Sequence, residues 1–308
     1  MLFRSAMSDR NGLSFGIKTS QANISYEEIL GTWRDADTIG VFEHAWLWDH
    51  MVPLRGDVRG AALEAWTLLA ALSAQTERLR LGVIVTSNRL RAPALLAKMA
   101  ATVDVISGGR LDFGIGAGGS QLAGPFLESV RREYDAYGVP VVPPAEAVRA
   151  LAEACTIARR LWTEDQPFDF DGRCYQLTGA VCEPKPVQRP HPPIMIGGGG
   201  EKATLRVVAE HADIWNCPAR TAEEYSRKNR VLLDHCAAVG RDSREITRSV
   251  QILVRGDNPA AARGLLLELI DAGVTHLVLG PIPPWPGSPA RWLAEEIIEP
   301  VLAAAAAG

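Results

Sequence analysis

The chain has 308 residues, of which 47% are hydrophobic and 22% are charged, a composition typical of a globular protein with a sizeable core. Its 36 acidic residues outnumber its 32 basic residues, which gives a formal net charge of −4, and no long basic run could follow a phosphate backbone, so nucleic acid is excluded as an expected partner. The five scattered cysteines form no zinc or redox pattern, so we expect reduced thiols. The apolar stretches are too short for a signal peptide or a membrane span, so we expect a cytoplasmic protein.

Eight short apolar runs, each bounded by turn residues, predict β-strands. They lack the strict alternation of a half-exposed antiparallel sheet, so buried parallel strands are expected. The runs cover residues 14–17, 44–48, 80–86, 111–116, 193–196, 213–216, 249–254 and 275–280.

Segments with helical periodicity lie between these runs, so strand and helix alternate eight times along the chain. This alternation predicts an α/β fold, a (β/α)8 TIM barrel with insertion loops, as a single domain over residues 1–308. A doubly wound sheet would carry a glycine fingerprint after its first strand, whereas residues 18–25 contain no glycine. Residues 1–12 carry no pattern and are expected to form a disordered tail. The predicted helices cover residues 26–39, 63–75, 92–106, 145–162, 201–211, 222–239, 259–272 and 289–306.

Two stretches do not fit this alternation and are predicted to be insertion loops. The first covers residues 118–144; the second covers residues 163–192 and contains a candidate β-hairpin around Asp171-Gly172. Long connections in a compact domain are typically lids or binding loops, and the alternative is an ordinary surface insertion.

The functional residues of an α/β barrel lie at the carboxyl ends of its strands. The second predicted strand runs into Trp46-Leu47-Trp48-Asp49-His50. Two indoles beside an Asp-His pair offer an apolar wall for a flat ring, next to a group that can move a proton near neutral pH. The structural alternative is that Asp49 caps the next loop and that His50 is a satisfied histidine.

The third and fourth predicted strands also end in residues that suit a ligand. Thr86, Ser87 and Asn88 can hydrogen-bond the carbonyl groups of a ligand, although Ser and Asn also form ordinary turns. Gly116 and Gly118 lack side chains, which would let a planar ligand approach the backbone or would simply allow a tight turn.

The strongest local motif is Gly197-Gly198-Gly199-Gly200, which follows a strand and precedes a helix that includes Thr204. Backbone N–H groups of such a turn, together with a helix N-terminus, bind phosphate; a flexible hinge is the alternative. The motif is neither a P-loop nor a Rossmann fingerprint. The histidines show no HxH or HExxH spacing, so no metal site is predicted.

Taken together and in this order, these motifs and several further segments resemble the luciferase-like flavin or deazaflavin oxidoreductases of the bacterial-luciferase superfamily, over nearly the whole chain. The segments that carry the resemblance are Trp46–His50, Arg80–Gly82, Thr86–Arg89, Pro93–Lys98, Asp104–Arg110, Gly114–Gly118, Pro184–Gln188 and Pro192–Gly200. The resemblance implies a TIM-like barrel that binds reduced FMN or coenzyme F420, with a separate reductase that supplies the reduced cofactor.

The resemblance also implies where the cofactor lies. Several relatives have a non-proline cis peptide bond in the third strand, which we expect at Val83-Ile84. The ring would lie by Trp48, Asp49, His50, Thr86 and Ser87, and the phosphate on Gly198, Gly199, Gly200 and Thr204.

We expect His50 to donate or accept a proton beside the ring, oriented by Asp49, while Trp46 or Trp48 shapes the pocket. The resemblance favours hydride transfer through coenzyme F420 to or from a small organic substrate, and the alternative is an FMNH2-dependent monooxygenase that uses molecular oxygen. The loop after the fourth strand departs from the relatives' pattern and lacks the glutamate of the sugar-phosphate dehydrogenase branch. We therefore expect Gly119 and Ser120 to line a different substrate pocket.

Two other classes stay open at this point. A non-catalytic flavin-binding barrel would bind the cofactor without turning over a substrate. An aldolase or isomerase needs a lysine or a carboxylate at a strand end, where the sequence offers Asp49. The apolar face of residues 63–72 fits a homodimer contact and equally fits packing against the barrel.

Overall fold

The computed structural model describes residues 12–54, 57–119, 125–285 and 287–307. Their main sheet is a closed parallel barrel whose eight strands follow one another in chain order, and the last strand closes it by pairing with the first. The predicted (β/α)8 barrel is therefore confirmed. Its strands are β1 (Ser14–Lys18), β2 (Phe42–Leu47), β3 (Arg80–Val83) with its continuation β4 (Thr86–Ser87), β5 (Leu111–Gly116), β8 (Ile194–Gly197), β9 (Ile214–Cys217), β10 (Thr247–Arg255) and β11 (His276–Ile282).

The helices surround the barrel at the predicted positions, with bounds that differ by a few residues. The last predicted helix is divided, because a π-helical stretch, Ala294–Ile298, interrupts it. The sequence reading missed one helix, α4, which lies within the first insertion. The helices are α1 (Tyr26–Thr38), α2 (Ala65–Ser73), α3 (Pro93–Ile106), α4 (Pro125–Ala136), α5 (Pro144–Thr163), α6 (Thr204–His211), α7 (Ala222–Ala238), α8 (Pro259–Asp271), α9 (Pro289–Leu293) and α10 (Glu299–Ala307).

Local sequence explains where the helices begin. Ser25 caps α1 by accepting the N–H of Glu28 at 3.2 Å, and the Glu28 carboxylate accepts the N–H of Ser25 at 3.0 Å in return. Helix α3 begins at Pro93, whose missing N–H has no partner to lose in a first turn. These signals fix the first residues of two helices of the outer layer.

The third barrel strand is interrupted between β3 and β4. The peptide bond Ile84–Val85 is cis in this interruption. The sequence expectation placed the cis bond at Val83-Ile84, one bond too early, and is wrong in position.

The core has two parts. The larger part fills the space between the outward faces of the strands and the helices, and includes the indoles of Trp33, Trp66 and Trp162. The smaller part lies inside the barrel and consists of Trp46, Ile84, Met195, Ile214 and Val278. The interior is therefore packed below its carboxyl end, as in other α/β barrels.

A polar network closes the amino end of the barrel. The Arg80 Nε donates to both oxygens of Asp112, at 3.1 and 3.0 Å. The amide of Gln188 donates to Asp104 Oδ1 at 2.7 Å, and the backbone N–H groups of Val187 and Gln188 donate to Asp104 Oδ2 at 2.7 and 3.0 Å. The network ties the end of the second insertion to the barrel floor.

The two insertions differ in position. The predicted hairpin of the second insertion is confirmed as β6 (Phe168–Asp171) paired with β7 (Gln176–Ala180), and the Glu153 carboxylate accepts the N–H groups of its turn. The first insertion brings α4 over the carboxyl end of the barrel.

None of the described helices is long and apolar enough to cross a membrane. Residues 1–11 of the predicted tail lie outside the described residues.

Candidate active site

A cavity of about 840 Å³ opens at the carboxyl ends of the barrel strands. Functional sites of this fold lie at this end. Most of the residues singled out in the sequence meet here. Those that line the cavity are Trp48, Asp49, His50, Thr86, Ser87, Gly116, Gly118, Gly119, Gly197, Gly198, Gly199, Gly200 and Thr204.

Glycines form one wall of the cavity. The carbonyl of Gly198 accepts the indole N–H of Trp215 at 2.8 Å, which fixes the turn after β8. Gly198 has φ +140°, and a Cβ there would lie 2.8 Å from Thr204 Cγ2. Helix α6 begins at Thr204 without a side-chain cap, so its positive end adjoins this turn. The Lys228 ammonium donates to the carbonyl of Gly199 at 3.1 Å and adds a cation to the same wall.

Two further glycines serve packing as well as access. Gly116 of β5 pairs with Gly197 of β8, and a Cβ at either position would approach the Val85 side chain to 2.8 or 2.9 Å. The packing explanation that the sequence left open therefore applies here. Both glycines also line the cavity, and the two explanations hold together.

A chain of hydroxyl groups links the third strand to α4. The Tyr134 hydroxyl donates to the carbonyl of Gly118 at 2.6 Å and lies 2.7 Å from Ser87 Oγ. Burial raises the pKa of Tyr134 to about 12, so its hydroxyl stays protonated and Ser87 donates to it. Thr86 Oγ1 accepts the indole N–H of Trp66 at 3.0 Å.

Asn88 was expected at the cofactor but does not line the cavity. Its side chain is 1% exposed, and its amide has no hydrogen-bond partner among the described residues. Ser120, expected in the substrate pocket, lies outside the described residues, whereas Gly119 does line the cavity.

Asp49 does not orient His50, and this expectation is wrong. The Asp49 carboxylate accepts both terminal nitrogens of Arg91, at 2.8 and 3.0 Å, and the N–H of Ser87 at 3.0 Å. Burial raises the pKa of Asp49, and the guanidinium of Arg91 opposes that shift. Since these donors all belong to the third strand and the loop after it, Asp49 connects two neighbouring strand ends.

The partner of His50 comes instead from the first insertion. Glu133 of α4 places Oε2 2.9 Å from His50 Nδ1, and its Oε1 accepts the N–H of Met51. The Glu133 side chain is 1% exposed and that of His50 is 21% exposed. The ring of Trp48 stands edge-on to the imidazole at a centroid distance of 4.9 Å.

The two indoles of the second strand occupy different levels. Trp46 was expected to shape the substrate pocket, but it is fully buried inside the barrel and donates to His44 Nδ1 at 2.6 Å. Side chains two residues apart on a strand point to the same face, so Trp46 and Trp48 both face inwards, one layer apart. Of the two, Trp48 reaches the cavity, and the expectation for Trp46 is wrong.

A family model described as luciferase-like monooxygenase matches residues 7–296 of the chain. The chain belongs to this family. The resemblance seen in the sequence is therefore confirmed, and with it the prediction that the protein is an oxidoreductase of the luciferase-like family.

The relatives differ in whether their names state an activity. An uncharacterised protein of Mycobacterium tuberculosis is 31% identical over 218 residues, which cover 71% of this chain and 69% of that protein. The FMNH2-dependent dimethylsulfone monooxygenase of Pseudomonas putida is 29% identical over 225 residues, which cover 68% of this chain and 58% of that enzyme.

Solved structures show the same fold. An F420-dependent secondary alcohol dehydrogenase, solved with an F420-acetone adduct, has a TM-score of 0.77 and 18% identity and covers 94% of this chain and 99% of its own. A monooxygenase from Streptomyces bottropensis has a TM-score of 0.70 and 21% identity, and the match covers 93% of this chain and 99% of that enzyme's chain. At these identities the likeness concerns the barrel architecture.

Sequence reasoning missed several residues that line the cavity of this luciferase-like barrel. Lys18 ends β1 and donates to Gln251 of β10 at 3.0 Å. The rule that selected Asp49, a charged residue at a strand end, would have found Lys18 as well. Glu133 and Tyr134 carried no such signal, because they lie in an insertion that no strand pattern places near the site.

Proposed function

We propose that the protein is a flavin-type oxidoreductase that transfers a hydride, through coenzyme F420, to or from a small organic substrate. The observation that carries the proposal is the juxtaposition of His50, paired at 2.9 Å with Glu133, and the glycine wall Gly197–Gly200 in one cavity of about 840 Å³. A proton-transfer group and an anion cradle in a single cavity suit a cofactor with a phosphate and a reactive ring.

The residues at the glycine wall fit the phosphate of such a cofactor. A Cβ at Gly198 would crowd Thr204, so this position favours glycine. With no side chain there, the backbone of Gly198 faces the cavity uncovered. The uncapped start of α6 provides backbone N–H groups, and Lys228 provides a positive charge. Gly198, Gly199, Gly200 and Thr204 would hold the phosphate.

The opposite wall fits a flat ring. Trp48 offers an aromatic surface, and its indole N–H is buried without a hydrogen-bond partner among the described residues. Thr86 and Ser87 line the adjoining strand end. When bound there, the deazaflavin supplies the position that gives or takes the hydride.

The chain's own residues supply the proton. Reduction of a carbonyl by a hydride needs a proton on the substrate oxygen, and oxidation of an alcohol needs that proton removed. His50 lines the cavity and has a ring nitrogen held by a buried carboxylate, so it is the candidate for both directions. Leu253, Pro281 and Ile282 add apolar surface to the cavity for a small substrate.

An FMNH2-dependent monooxygenase is the second candidate. The match to the Pseudomonas putida enzyme, at 29% identity, favours it. Since reduced FMN reacts with oxygen and the deazaflavin hardly does, the two candidates differ in their need for oxygen. A separate reductase, a homodimer and a cytoplasmic location stay predictions in either case.

Turnover assays separate the candidates. The protein is incubated with reduced F420 and a panel of small ketones and enones, without oxygen, and reoxidation of the cofactor is followed by absorbance. Hydride transfer predicts substrate-dependent reoxidation that oxygen does not accelerate. Oxygen uptake with reduced FMN would favour the monooxygenase, and cofactor binding without any turnover would indicate a non-catalytic barrel.

A further inference from the structure

The first insertion places a buried carboxylate directly on the proposed proton-transfer residue. Glu133 of α4 lies with Oε2 2.9 Å from His50 Nδ1, and its other oxygen accepts the N–H of Met51. Its side chain is 1% exposed, so bulk water does not compete for these oxygens. The two adjacent residues of the β2 loop are thus held by one side chain from a distant part of the sequence.

Helix α4 holds this carboxylate in place through bonds of its own. The Tyr134 hydroxyl bonds the carbonyl of Gly118 at 2.6 Å and Ser87 at 2.7 Å. Arg132 donates to the carbonyl of Pro53 at 3.3 Å. These bonds tie the helix to three strand ends or loops, so the position of Glu133 does not depend on its contact with His50 alone.

The chemistry of these groups fixes the location of the proton on the imidazole. A carboxylate only accepts hydrogen bonds, and a backbone N–H only donates. His50 must therefore donate from Nδ1 to Glu133, which leaves Nε2 of the neutral ring as its basic nitrogen. We propose that Glu133 is a positioning residue that holds His50 in its Nδ1–H tautomer, so that Nε2 exchanges the proton with the substrate. This inference rests on the proposed role of His50 in proton transfer.

The variant Glu133→Gln reverses this arrangement while keeping the shape of the side chain. A glutamine has one accepting oxygen and one donating NH2 group. The Met51 N–H requires the oxygen, so the NH2 group must face His50 Nδ1. The ring nitrogen Nδ1 then accepts, and the proton moves to Nε2.

The test is nitrogen NMR of protein labelled in its histidine rings, without cofactor, at a pH where the ring is neutral. The His50 signals are assigned by their loss in His50→Ala. We expect the Nδ1–H tautomer in the wild type and the Nε2–H tautomer in Glu133→Gln. In the same variant we expect kcat to fall by ~10²-fold or more, with a smaller change in KM, because substrate binding does not need the tautomer.

Tyr137→Phe is the matched control. Tyr137 directly follows α4, is 56% exposed, and its hydroxyl donates to the carbonyl of Met51 at 3.4 Å. The control removes a bond to the same loop without touching the imidazole. Its tautomer and turnover are expected to match the wild type.

The outcomes separate this inference from the proposed function. An Nε2–H tautomer in the wild type, or an Nδ1–H tautomer in Glu133→Gln, would overturn the inference and leave the proposed function standing. If Glu133→Gln does not fold, the tautomer measured in the wild type still decides the inference. Tautomer inversion with unchanged turnover would instead overturn the role of His50 in proton transfer.

Discussion

The two ends of the barrel use the same kinds of residues for different purposes. At the amino end, Arg80 donates to Asp112 and to Gln188, and these bonds close the barrel floor. At the carboxyl end, His50 and Lys228 lie on the walls of an open cavity. A charged motif in the sequence therefore does not by itself identify a functional site. The end of the strand at which the motif lies decides between a structural and a chemical role.

The same contrast holds for the histidines. His44 and His276 stack inside the amino half of the barrel at a centroid distance of 3.9 Å. Burial, with Arg80 nearby, lowers the pKa of His276 to about 3 and holds that of His44 well below its usual range. These rings stay neutral, whereas His50 meets a carboxylate at the edge of the cavity.

The largest expected effect belongs to the amino end. Asp104 is fully buried and accepts three hydrogen bonds from Val187 and Gln188. Asp104→Ala leaves these donors unsatisfied and should lower the free energy of unfolding by about 3 to 5 kcal/mol, measured by urea denaturation. F420 affinity of the folded variant should match that of the wild type, and a loss of affinity would contradict the separation of the two ends.

His50→Ala tests the carboxyl end in the opposite sense. Loss of the proton-transfer group should reduce turnover by ~10²-fold or more. The free energy of unfolding should fall by less than in Asp104→Ala, because the buried Glu133 carboxylate loses its bond to His50 but keeps that to Met51. Unchanged turnover with a reducible substrate would remove His50 from the mechanism.

The buried histidine pair should make the protein sensitive to acid. The folded state lowers the pKa of His276 and of His44, so below about pH 6.5 the unfolded state binds more protons. For His276, stability should then fall by about 1.4 kcal/mol per pH unit as the pH drops from about 6.5 towards 3, and His44 should add to the fall below about pH 6.5. His276→Gln should flatten this slope, measured by urea denaturation between about pH 6 and pH 4. Both pH values lie between the pKa of His276 in the unfolded chain and its pKa in the folded protein. An unchanged slope would show that His276 does not contribute.

The smallest expected effect concerns a single methyl group in the glycine wall. Gly198→Ala places a Cβ 2.8 Å from Thr204 Cγ2 at a backbone with φ +140°. We expect F420 affinity to fall about tenfold, equivalent to about 1.4 kcal/mol. Gly31→Ala is the control, because a Cβ at this position of helix α1 would meet no atom within 4 Å apart from its chain neighbours and the helix backbone. It should leave affinity unchanged and raise stability by about 0.5 to 1 kcal/mol.

Periodicity was sufficient to predict the barrel, because each buried strand and each amphipathic helix carries its own local pattern. The glycine run before a helix start predicted a phosphate site at Gly197–Gly200, and these residues line the cavity. Periodicity did not distinguish Trp46 from Trp48, since both face inwards and depth inside the barrel depends on the register of neighbouring strands. Glu133 could not be predicted from the sequence, because its contact with His50 spans 83 residues and depends on how an insertion folds back.

Asp49 illustrates a further limit. Its place beside His50 in the sequence suggested a pair, but His50 has Glu133 as its partner. The Asp49 carboxylate binds Arg91 instead, at 2.8 and 3.0 Å. Adjacent polar residues in a strand or loop are therefore poor evidence for a catalytic pair.

The central claim is that the carboxyl end of the barrel holds a flavin-type cofactor beside His50. Its most direct test is a titration of the purified protein with F420, with oxidised FMN and with reduced FMN, followed by absorbance or fluorescence. We predict saturable binding of F420 that Gly198→Ala weakens and Gly31→Ala does not. A preference for reduced FMN would contradict the choice of F420, and binding of none of the three would contradict the account as a whole.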